Sequence, residues 1–145
     1  MSPRATRPKR VSRPPVRMLL VDDSLWQREG WTLLFGSQAD FEVVGQASDG
    51  AQALALARKE RVDVVLMDIH MPRVNGLVAT ERILGDDRVL ANGRAPRIIL
   101  VANVDLDDHV PAAAIAGAYA VLYKDAEPEA LFDVIREAAL AHPER

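Results

Sequence analysis

The amino-acid sequence predicts an α/β fold in which a parallel five-stranded sheet is covered by helices on both faces. At 145 residues, 49% of them hydrophobic and 27% charged, the chain has room for one globular domain with a single core. Five short apolar runs alternate with segments of helical period, which is typical of a doubly wound sheet. Two of these runs, Val62–Met67 and Ile98–Ala102, are almost continuously apolar, as strands are when both faces of the sheet are buried.

The apolar runs give the five predicted strands and leave room for a helix after each one. In chain order the strands cover Val16–Val21, Phe41–Ala47, Val62–Met67, Arg97–Ala102 and Tyr119–Tyr123. The first helix is predicted by residues at helical spacing, with Ser24 placed to cap its N-terminus: Trp26, Gly30, Leu33 and Leu34. We expect Trp26 to lie in the core. Trp31 falls one position beyond this row, so we expect it to be partly exposed.

Four further helices are predicted by the same spacing. Their markers are Gly50, Leu54 and Ala57; Leu77, Ile83 and Leu84; Val110, Ala113, Ala114 and Gly117; and Leu131, Val134, Ile135 and Ala138. Asn75-Gly76 is often a hairpin turn, but here it precedes a helical pattern and is interpreted as a loop that enters a helix. Pro128 is acceptable in the first turn of the last helix.

Five alternating strand–helix units favour the flavodoxin-like strand order 2-1-3-4-5 with right-handed crossovers. In such sheets the functional site lies at the carboxyl ends of the strands, beside the switch point between strands 1 and 3. Candidate functional residues are therefore sought where the predicted strands end.

Charge is unevenly distributed along the chain. The net charge is −3, yet Met1 to Arg17 carries six basic residues and no acidic ones. We expect residues 1–16 to form a disordered basic arm and residues 17–142 to form the domain. A solvated extension and an arm that touches nucleic acid or an acidic partner both remain open. The absence of cysteine, of a membrane-length apolar run and of a secretory signal fits a cytoplasmic protein.

Charged residues follow three of the predicted strands. Strand 1 ends in Asp22-Asp23, strand 3 in Asp68, and strand 5 is followed by Lys124. Carboxylates at close range resist ionising together, and a hard divalent cation such as Mg²⁺ removes that conflict. A carboxylate can also accept a phosphoryl group, whose charge the cation and Lys124 would neutralise. Simple helix capping is the alternative for any one of these residues alone.

The same residues lie in segments that resemble the signature blocks of response-regulator receiver domains. The segments are Leu19-Leu20-Val21-Asp22-Asp23, Met67-Asp68-Ile69-His70-Met71-Pro72-Arg73-Val74-Asn75-Gly76 and Tyr123-Lys124-Asp125. The local sequence is most similar to the NarL/FixJ (LuxR-type) branch at Arg28-Glu29-Gly30, Phe41–Gly45 and Lys124–Glu129. The resemblance covers roughly Arg17 to Ala141.

The resemblance implies a role for each residue of the site. Asp68 would be the phosphoacceptor, and Lys124 would bind the phosphoryl group. Mg²⁺ would be held by Asp22, Asp23 and Asp68 together with the backbone carbonyl of His70. The donor would be the phosphohistidine of a sensor histidine kinase, and the chain would not be an enzyme beyond its own phosphorylation and dephosphorylation.

Two positions depart from the pattern of the family. Typical receivers carry Thr or Ser at the end of strand 4, where this chain has Ala102, and an aromatic residue on strand 5, where it has Val121. The backbone N–H of Asn103 can still donate to a phosphoryl oxygen. A missing hydrogen bond to a charged group, about 1.5–3 kcal/mol, leads us to expect a muted or rerouted conformational response. Tyr119 or Tyr123 would substitute in part for the aromatic residue.

Partners and alternatives follow from the same resemblance. The NarL/FixJ branch usually continues into a DNA-binding effector domain, whereas this sequence stops at Arg145; it is either a stand-alone receiver or has had its C-terminal part removed. The face formed by the fourth predicted helix, strand 5 and the fifth predicted helix, from Val110 to Ala138, would suit a homodimer. A degenerate receiver that only docks is one alternative, and an enzyme on the same fold, which lacks support from phosphate-binding motifs, is another. The three histidines, His70, His109 and His142, are dispersed along the sequence, and they are interpreted as ordinary surface residues rather than as a zinc site.

Overall fold

The predicted fold is present in the computed structural model, which describes residues 13–103 and 106–141. A five-stranded parallel sheet has the order β2-β1-β3-β4-β5, and the strands alternate with helices along the chain. Most of the predicted basic arm, together with His142, lies outside the described residues. Among the described residues, no helix is both long and apolar enough to cross a lipid bilayer.

The elements largely match the predicted segments. The strands are β1 (Val16–Val21), β2 (Phe41–Ala47), β3 (Val64–Asp68), β4 (Arg97–Ala102) and β5 (Ala120–Tyr123). The helices are α1 (Leu25–Gly36), α2 (Gly50–Lys59), α3 (Gly76–Leu84), α4 (Asp87–Ala91), α5 (Leu106–Ala116) and α6 (Pro128–Leu140). The fourth and fifth predicted helices are therefore α5 and α6. The short helix α4, which Asp86 caps through its carboxylate, was not predicted.

Each strand feeds two hydrophobic clusters because its side chains alternate between the faces of the sheet. Leu19 and Met67 point to the face covered by α2, α3, α4 and α5. Leu20 and Leu66 point to the opposite face, which α1 and α6 cover. β3 lies in the middle of the sheet and is buried along its whole length. This explains why its sequence is continuously apolar up to its last residue.

Three phenylalanines from distant parts of the chain form the centre of the second cluster. Phe35 of α1, Phe41 of β2 and Phe132 of α6 have ring centroids 5.8–6.1 Å apart, and every pair meets edge to face. The guanidinium of Arg136 lies 4.9 Å above the Phe41 ring and forms an ion pair with Asp40 at 2.8 Å. Aromatic pairs in this geometry add about 0.5–1.5 kcal/mol each beyond their burial.

The buried face of α1 differs from the prediction. Trp26 is 87% exposed, whereas Trp31 is only 3% exposed and packs with Phe35 in the second cluster. The prediction that Trp26 lies in the core and that Trp31 is partly exposed was therefore wrong. The helix carries apolar residues on two neighbouring rows, and the sheet covers the row of Trp31 and Phe35 while Leu33 stays 79% exposed.

Smaller differences concern β3 and α5. β3 begins at Val64, two residues after the start of the apolar run, although Val62 is buried as well. Among the residues of α5 whose burial is described, Ala113 and Ala116 are buried, while Val110 is 44% exposed. The buried face of α5 therefore includes Ala116, which was not among the residues predicted to face the core, and does not include Val110. These shifts leave the carboxyl ends of the strands, where the candidate site lies, unchanged.

Candidate functional site

Three charged side chains from three different strands meet at the carboxyl edge of the sheet. Val21 of β1 pairs with Met67 of β3, so the residues that follow, Asp22 and Asp68, are neighbours. The ammonium of Lys124, directly after β5, lies 2.7 Å from Oδ2 of Asp22 and 3.1 Å from Oδ2 of Asp68. The sheet topology therefore brings these predicted residues together at the expected switch point.

Asp23 completes an acidic triad at the mouth of this pocket. One carboxylate oxygen from each of Asp22, Asp23 and Asp68 can be chosen so that all three lie within 4.8 Å of one another. In octahedral Mg²⁺ coordination with Mg–O distances of about 2.1 Å, neighbouring oxygens lie about 3.0 Å apart and opposite oxygens about 4.2 Å apart. The three oxygens would therefore have to approach one another by at most about 2 Å to surround such an ion.

A buried oxygen gives independent support for a cation. Oδ2 of Asp22 is fully enclosed and receives no hydrogen bond of good geometry from the described residues; its contact is the ion pair with Lys124. When all groups are ionised, three carboxylates face one ammonium, and the pocket carries two excess negative charges. A divalent cation would balance that charge and satisfy the buried oxygen, so the residues present fit a hard divalent metal such as Mg²⁺.

Burial and charge act on the pocket in opposite directions. Burial raises the pKa of Asp68 above its ordinary value, and the nearby carboxylate of Asp22 adds to this, while the N–H of His70 and the ammonium of Lys124 oppose it. Burial pulls the pKa of Lys124 down, but its contacts with the two carboxylates outweigh burial and leave that pKa above its ordinary value. Lys124 therefore stays charged in the pocket at neutral pH.

Backbone groups fix the two buried carboxylates. The N–H of His70 donates to Oδ1 of Asp68 at 3.0 Å, and the N–H of Ser24 donates to Oδ1 of Asp22 at 2.8 Å. Arg28 of α1 donates to the backbone carbonyl of Asp22 at 2.7 Å and so ties the residue after β1 to α1. Each carboxylate is thus oriented with its Oδ2 toward Lys124.

The start of α3 packs unusually close to the segment that carries Asp68. A Cβ atom on Gly76 would lie 2.5 Å from the backbone oxygen of Asp68 and 2.9 Å from Cα of Ile69. The N–H of Gly76 donates to the carbonyl of Ile69 at 2.8 Å, and Asn75 caps the helix by accepting from the N–H of Val78. The sequence placed Asn75-Gly76 correctly at a helix entrance but gave no sign of this close approach.

The loop between β3 and α3 is also tied to α2. Arg73 has a left-handed φ of 64° and donates to Oδ2 of Asp49 at 2.6 Å. Asp49 is buried and caps α2 by accepting from the N–H of Gln52 at 2.9 Å. This ion pair was not predicted, because the two residues are 24 positions apart and neither follows a recognisable pairing pattern.

The two positions that depart from the family pattern lie on neighbouring strands, Ala102 on β4 and Val121 on β5. Ala102 is fully buried at the end of β4, and its carbonyl accepts from the N–H of Lys124 at 2.8 Å. Asn103 follows directly and is exposed. Val121 is partly buried on β5 against the first hydrophobic cluster, while Tyr123 is 45% exposed. The chain therefore has a methyl group, with no hydroxyl, at the end of β4.

Two of the three histidines are in contact, although they lie far apart in the sequence. Nε2 of His70, in the loop after β3, lies 3.2 Å from Nε2 of His109 on α5, and the ring centroids are 4.9 Å apart. Both residues lie at the surface, as expected, but their contact was not predicted. The two residues are 39 positions apart, and only the folding of α5 over the sheet edge brings them together.

Comparisons with known proteins agree with this arrangement. The family profile described as "Response regulator receiver domain" matches residues 18–136. The transcriptional regulatory protein LiaR of Bacillus subtilis is 36% identical over 88% of this chain and 58% of its own length. The nitrate/nitrite response regulator protein NarL of Escherichia coli is 34% identical over 86% of this chain and 55% of its own length. The chain thus spans little more than half the length of these relatives.

Solved structures show the same likeness. The signal receiver domain of the response regulator NarL from Mycobacterium tuberculosis has a TM-score of 0.78 and 28% identity, with 90% of this chain and 100% of that chain covered. A two-component response regulator of the LuxR family from Aurantimonas has a TM-score of 0.79 and 29% identity, with 88% of this chain and 87% of that chain covered.

Proposed function

The chain belongs to the response regulator receiver domain family, and we propose that it works as a phosphorylation-dependent signalling switch whose acceptor is Asp68. It is a receiver domain of two-component signalling rather than an enzyme in the ordinary sense. The observation that carries the proposal is the pocket itself, in which a buried Asp68 contacts Lys124 beside the carboxylates of Asp22 and Asp23.

In the proposed reaction a carboxylate oxygen of Asp68 attacks the phosphorus of a phosphohistidine or of a small acyl phosphate. The new P–O bond forms an aspartyl phosphate, and the bond from phosphorus to the donor breaks, with its electron pair leaving on the donor. Lys124 is placed to bind an oxygen of the transferred group, because its Nζ already lies 3.1 Å from Asp68. The backbone N–H of Asn103 would donate to another phosphoryl oxygen.

We propose that Mg²⁺ is held by the carboxylates of Asp22, Asp23 and Asp68 together with the backbone carbonyl of His70. When bound, the ion would neutralise charge shared by the carboxylates and the transferring phosphoryl group, which otherwise repel each other. The residues themselves position the reaction. Ser24 and His70 orient the two buried carboxylates through their N–H groups, and the ammonium of Lys124 contacts both of these carboxylates.

The proposed coupling from the pocket to the rest of the fold is weaker than in a receiver with a hydroxyl at position 102. A hydrogen bond to a charged group is worth about 1.5–3 kcal/mol, which corresponds to about one to two decades in a two-state equilibrium. In Ala102→Thr we expect beryllofluoride with Mg²⁺ to change the backbone chemical shifts of α5 more than in the wild type. An ordinary, complete response in the wild type would contradict this part of the proposal.

We also propose partners for the chain. A sensor histidine kinase would supply the phosphoryl group, in a cytoplasm that the lack of cysteine suits. The face made by α5, β5 and α6 would mediate a homodimer, since Ile115 is 84% exposed and Tyr123 and Val110 are about half exposed. LiaR of Bacillus subtilis and NarL of Escherichia coli are each longer than this chain, which matches only 58% and 55% of their lengths, so an effector domain that binds DNA is part of the proposal and not of the residues described.

Intact mass measurement tests the acceptor directly. Incubation with acetyl phosphate and Mg²⁺ should add the mass of one phosphoryl group to the wild type and none to Asp68→Asn. Chelation of Mg²⁺ with EDTA should abolish the gain. Asp125→Asn is a matched control, because Asp125 adjoins Lys124 but is exposed and outside the triad; it should be phosphorylated like the wild type.

A second candidate function is a degenerate receiver that docks to a partner without any phosphoryl step. Ala102 is the observation in its favour, since it removes the hydroxyl expected at the end of β4. A wild type that gains no mass, while a receiver with an intact hydroxyl is phosphorylated in the same buffer, would replace the first function by the second. A gain that persists in Asp68→Asn would move the acceptor elsewhere.

A further inference from the structure

The contact between His70 and His109 joins the loop after β3 to α5. His70 is exposed in the loop after β3, and His109 lies half-buried on α5. Their Nε2 atoms are 3.2 Å apart, and the ring planes are inclined at 70°. Both nitrogens therefore face one small volume that opens to solvent.

We propose that His70 and His109 form a binding site for a borderline divalent transition-metal ion, for which Zn²⁺ is the probe. Two imidazole nitrogens bound to one tetrahedral Zn²⁺ lie about 3.3–3.4 Å apart, given Zn–N distances of 2.0–2.1 Å. The observed 3.2 Å differs from this separation by only about 0.2 Å. Coordination requires both rings to turn so that their lone pairs meet at a shared ion, and neither ring is enclosed by the core, since His70 is exposed and His109 is half-buried.

The donor chemistry distinguishes this site from the acidic triad. Imidazole nitrogen suits Zn²⁺, Cu²⁺ and Ni²⁺, whereas an all-oxygen set suits Mg²⁺. The two sites are close, since the N–H of His70 donates to Asp68, but they share no side-chain ligand. Excess Mg²⁺ in the buffer would therefore compete for the triad and not for the two imidazoles, and Asp22→Asn controls for any Zn²⁺ that binds the triad.

The alternative for the pair is an ordinary hydrogen bond, in which one ring donates from Nε2 and the other accepts. Such a bond at the surface competes with water. A bound ion would replace the Nε2–H···Nε2 hydrogen bond by two Nε2–metal bonds. Each neutral ring would then carry its proton on Nδ1. Two protein ligands leave the remaining positions to water, so binding should be much weaker than at four-ligand sites, with a dissociation constant on the order of 10–100 µM.

Occupancy would cross-link the loop that follows Asp68 to α5. His70 is fixed at its backbone by the hydrogen bond to Asp68, and His109 is fixed by the helix in which it lies. An ion on both rings would therefore slow the local opening of α5 relative to the sheet. Amide hydrogen exchange in α5 reports that change without reference to phosphorylation.

Calorimetric titration of Zn²⁺ into the full chain, in buffer saturated with Mg²⁺, tests the site. We expect one ion per chain, affinity at least ten times lower in His109→Ala and in His70→Ala, and slower amide exchange in α5 of the wild type on addition of Zn²⁺. His142→Ala, which changes the remaining histidine, and Asp22→Asn, which disables the triad, should bind Zn²⁺ like the wild type. Circular dichroism melts of each variant check that it is folded.

Three results would overturn the proposal. The wild type could fail to bind Zn²⁺ at concentrations up to about 1 mM, well above the expected dissociation constant. Binding could persist in both His70→Ala and His109→Ala. Binding could also disappear in Asp22→Asn, which would place the ion in the acidic triad. Changes in the ring ¹⁵N shifts at Nε2 of both histidines would support direct coordination.

Discussion

Replacing Gly76 with alanine would drive a methyl carbon into the backbone of the segment that carries Asp68. The added Cβ would lie 2.5 Å from the Asp68 carbonyl oxygen, whereas ordinary contacts begin at 3.4 Å. α3 or the loop must therefore retreat by about 0.9 Å, and neither obstacle is the end of a flexible side chain. The N–H of Gly76 would then also lose its 2.8 Å hydrogen bond to the carbonyl of Ile69.

The magnitude follows from these two effects. Overpacking a tight site costs typically about 1–3 kcal/mol, and a lost backbone hydrogen bond costs about 1 kcal/mol. We expect the free energy of unfolding of Gly76→Ala to be lower by about 2–4 kcal/mol. With a urea dependence of about 2 kcal/mol per molar, the unfolding midpoint should fall by about 1–2 M.

Urea unfolding followed by circular dichroism measures this change, and Gly30 provides a matched control. Gly30 lies inside α1, and an added Cβ there would meet nothing within 4 Å. Gly30→Ala should therefore stabilise the protein by about 0.8–1.0 kcal/mol through helix propensity alone. The same chemical change is thus expected to have opposite signs at the two glycines.

Equal or greater stability of Gly76→Ala compared with the wild type would refute this reasoning. So would a Gly76→Ala midpoint that matches that of Gly30→Ala. A variant that remains folded in the absence of urea also permits a second measurement. Its phosphorylation by acetyl phosphate should be slower, since the displaced loop carries the acceptor.

Other perturbations separate buried contacts from exposed ones. Trp31→Ala should lower the free energy of unfolding by about 3–5 kcal/mol, whereas Trp26→Ala should change it by less than about 0.5 kcal/mol, because only Trp31 is buried; equal effects in a urea titration would contradict the assigned face of α1. The N–H of Gln52 and the guanidinium of Arg73 lower the pKa of Asp49. Its stabilising charge is thus present above pH 3.8 and is lost as the pH falls through the lowered value. Asp49→Asn should be less stable than the wild type at pH 7 by up to about 1 kcal/mol, with a gap that closes in acid; a gap that widens in acid would exclude this explanation.

The strand order and the acidic pocket could be predicted because both depend on short-range patterns. Each strand is a compact apolar run, and a charged residue follows three of them at the edge where parallel strands end together. The rule for the switch point then places Asp22 and Asp68 side by side without any knowledge of side-chain packing. Lys124 follows from the same rule, since β5 ends on the same edge.

The orientation of α1 could not be predicted from periodicity alone. Trp26 and Leu33 mark one apolar row, and Trp31 and Phe35 mark the neighbouring row. Both rows have helical spacing, so the choice between them depends on which one the sheet covers. Edge-to-face contacts of Phe35 with Phe41 of β2 and Phe132 of α6 favour the second row, and these contacts depend on tertiary packing rather than on the sequence of α1.

The missed features of the site are contacts between distant segments. The closeness of Gly76 to Asp68 depends on how α3 approaches the sheet, and glycine is common at helix entrances for other reasons. The contact of His70 with His109 depends on the path of α5 across the edge. Both are set by the packing angles of helices, which a sequence pattern does not encode.

The phenylalanine cluster has a consequence for how the chain is made. During synthesis Phe35 and Phe41 leave the ribosome long before Phe132, and the part of this sheet face that α6 covers stays open until α6 follows. At about 5–20 residues per second, that interval of some ninety residues lasts roughly 5–20 s. Nascent chains from which α6 has not yet emerged should bind chaperones that recognise exposed aromatic surface. These chaperones should dissociate when α6 emerges.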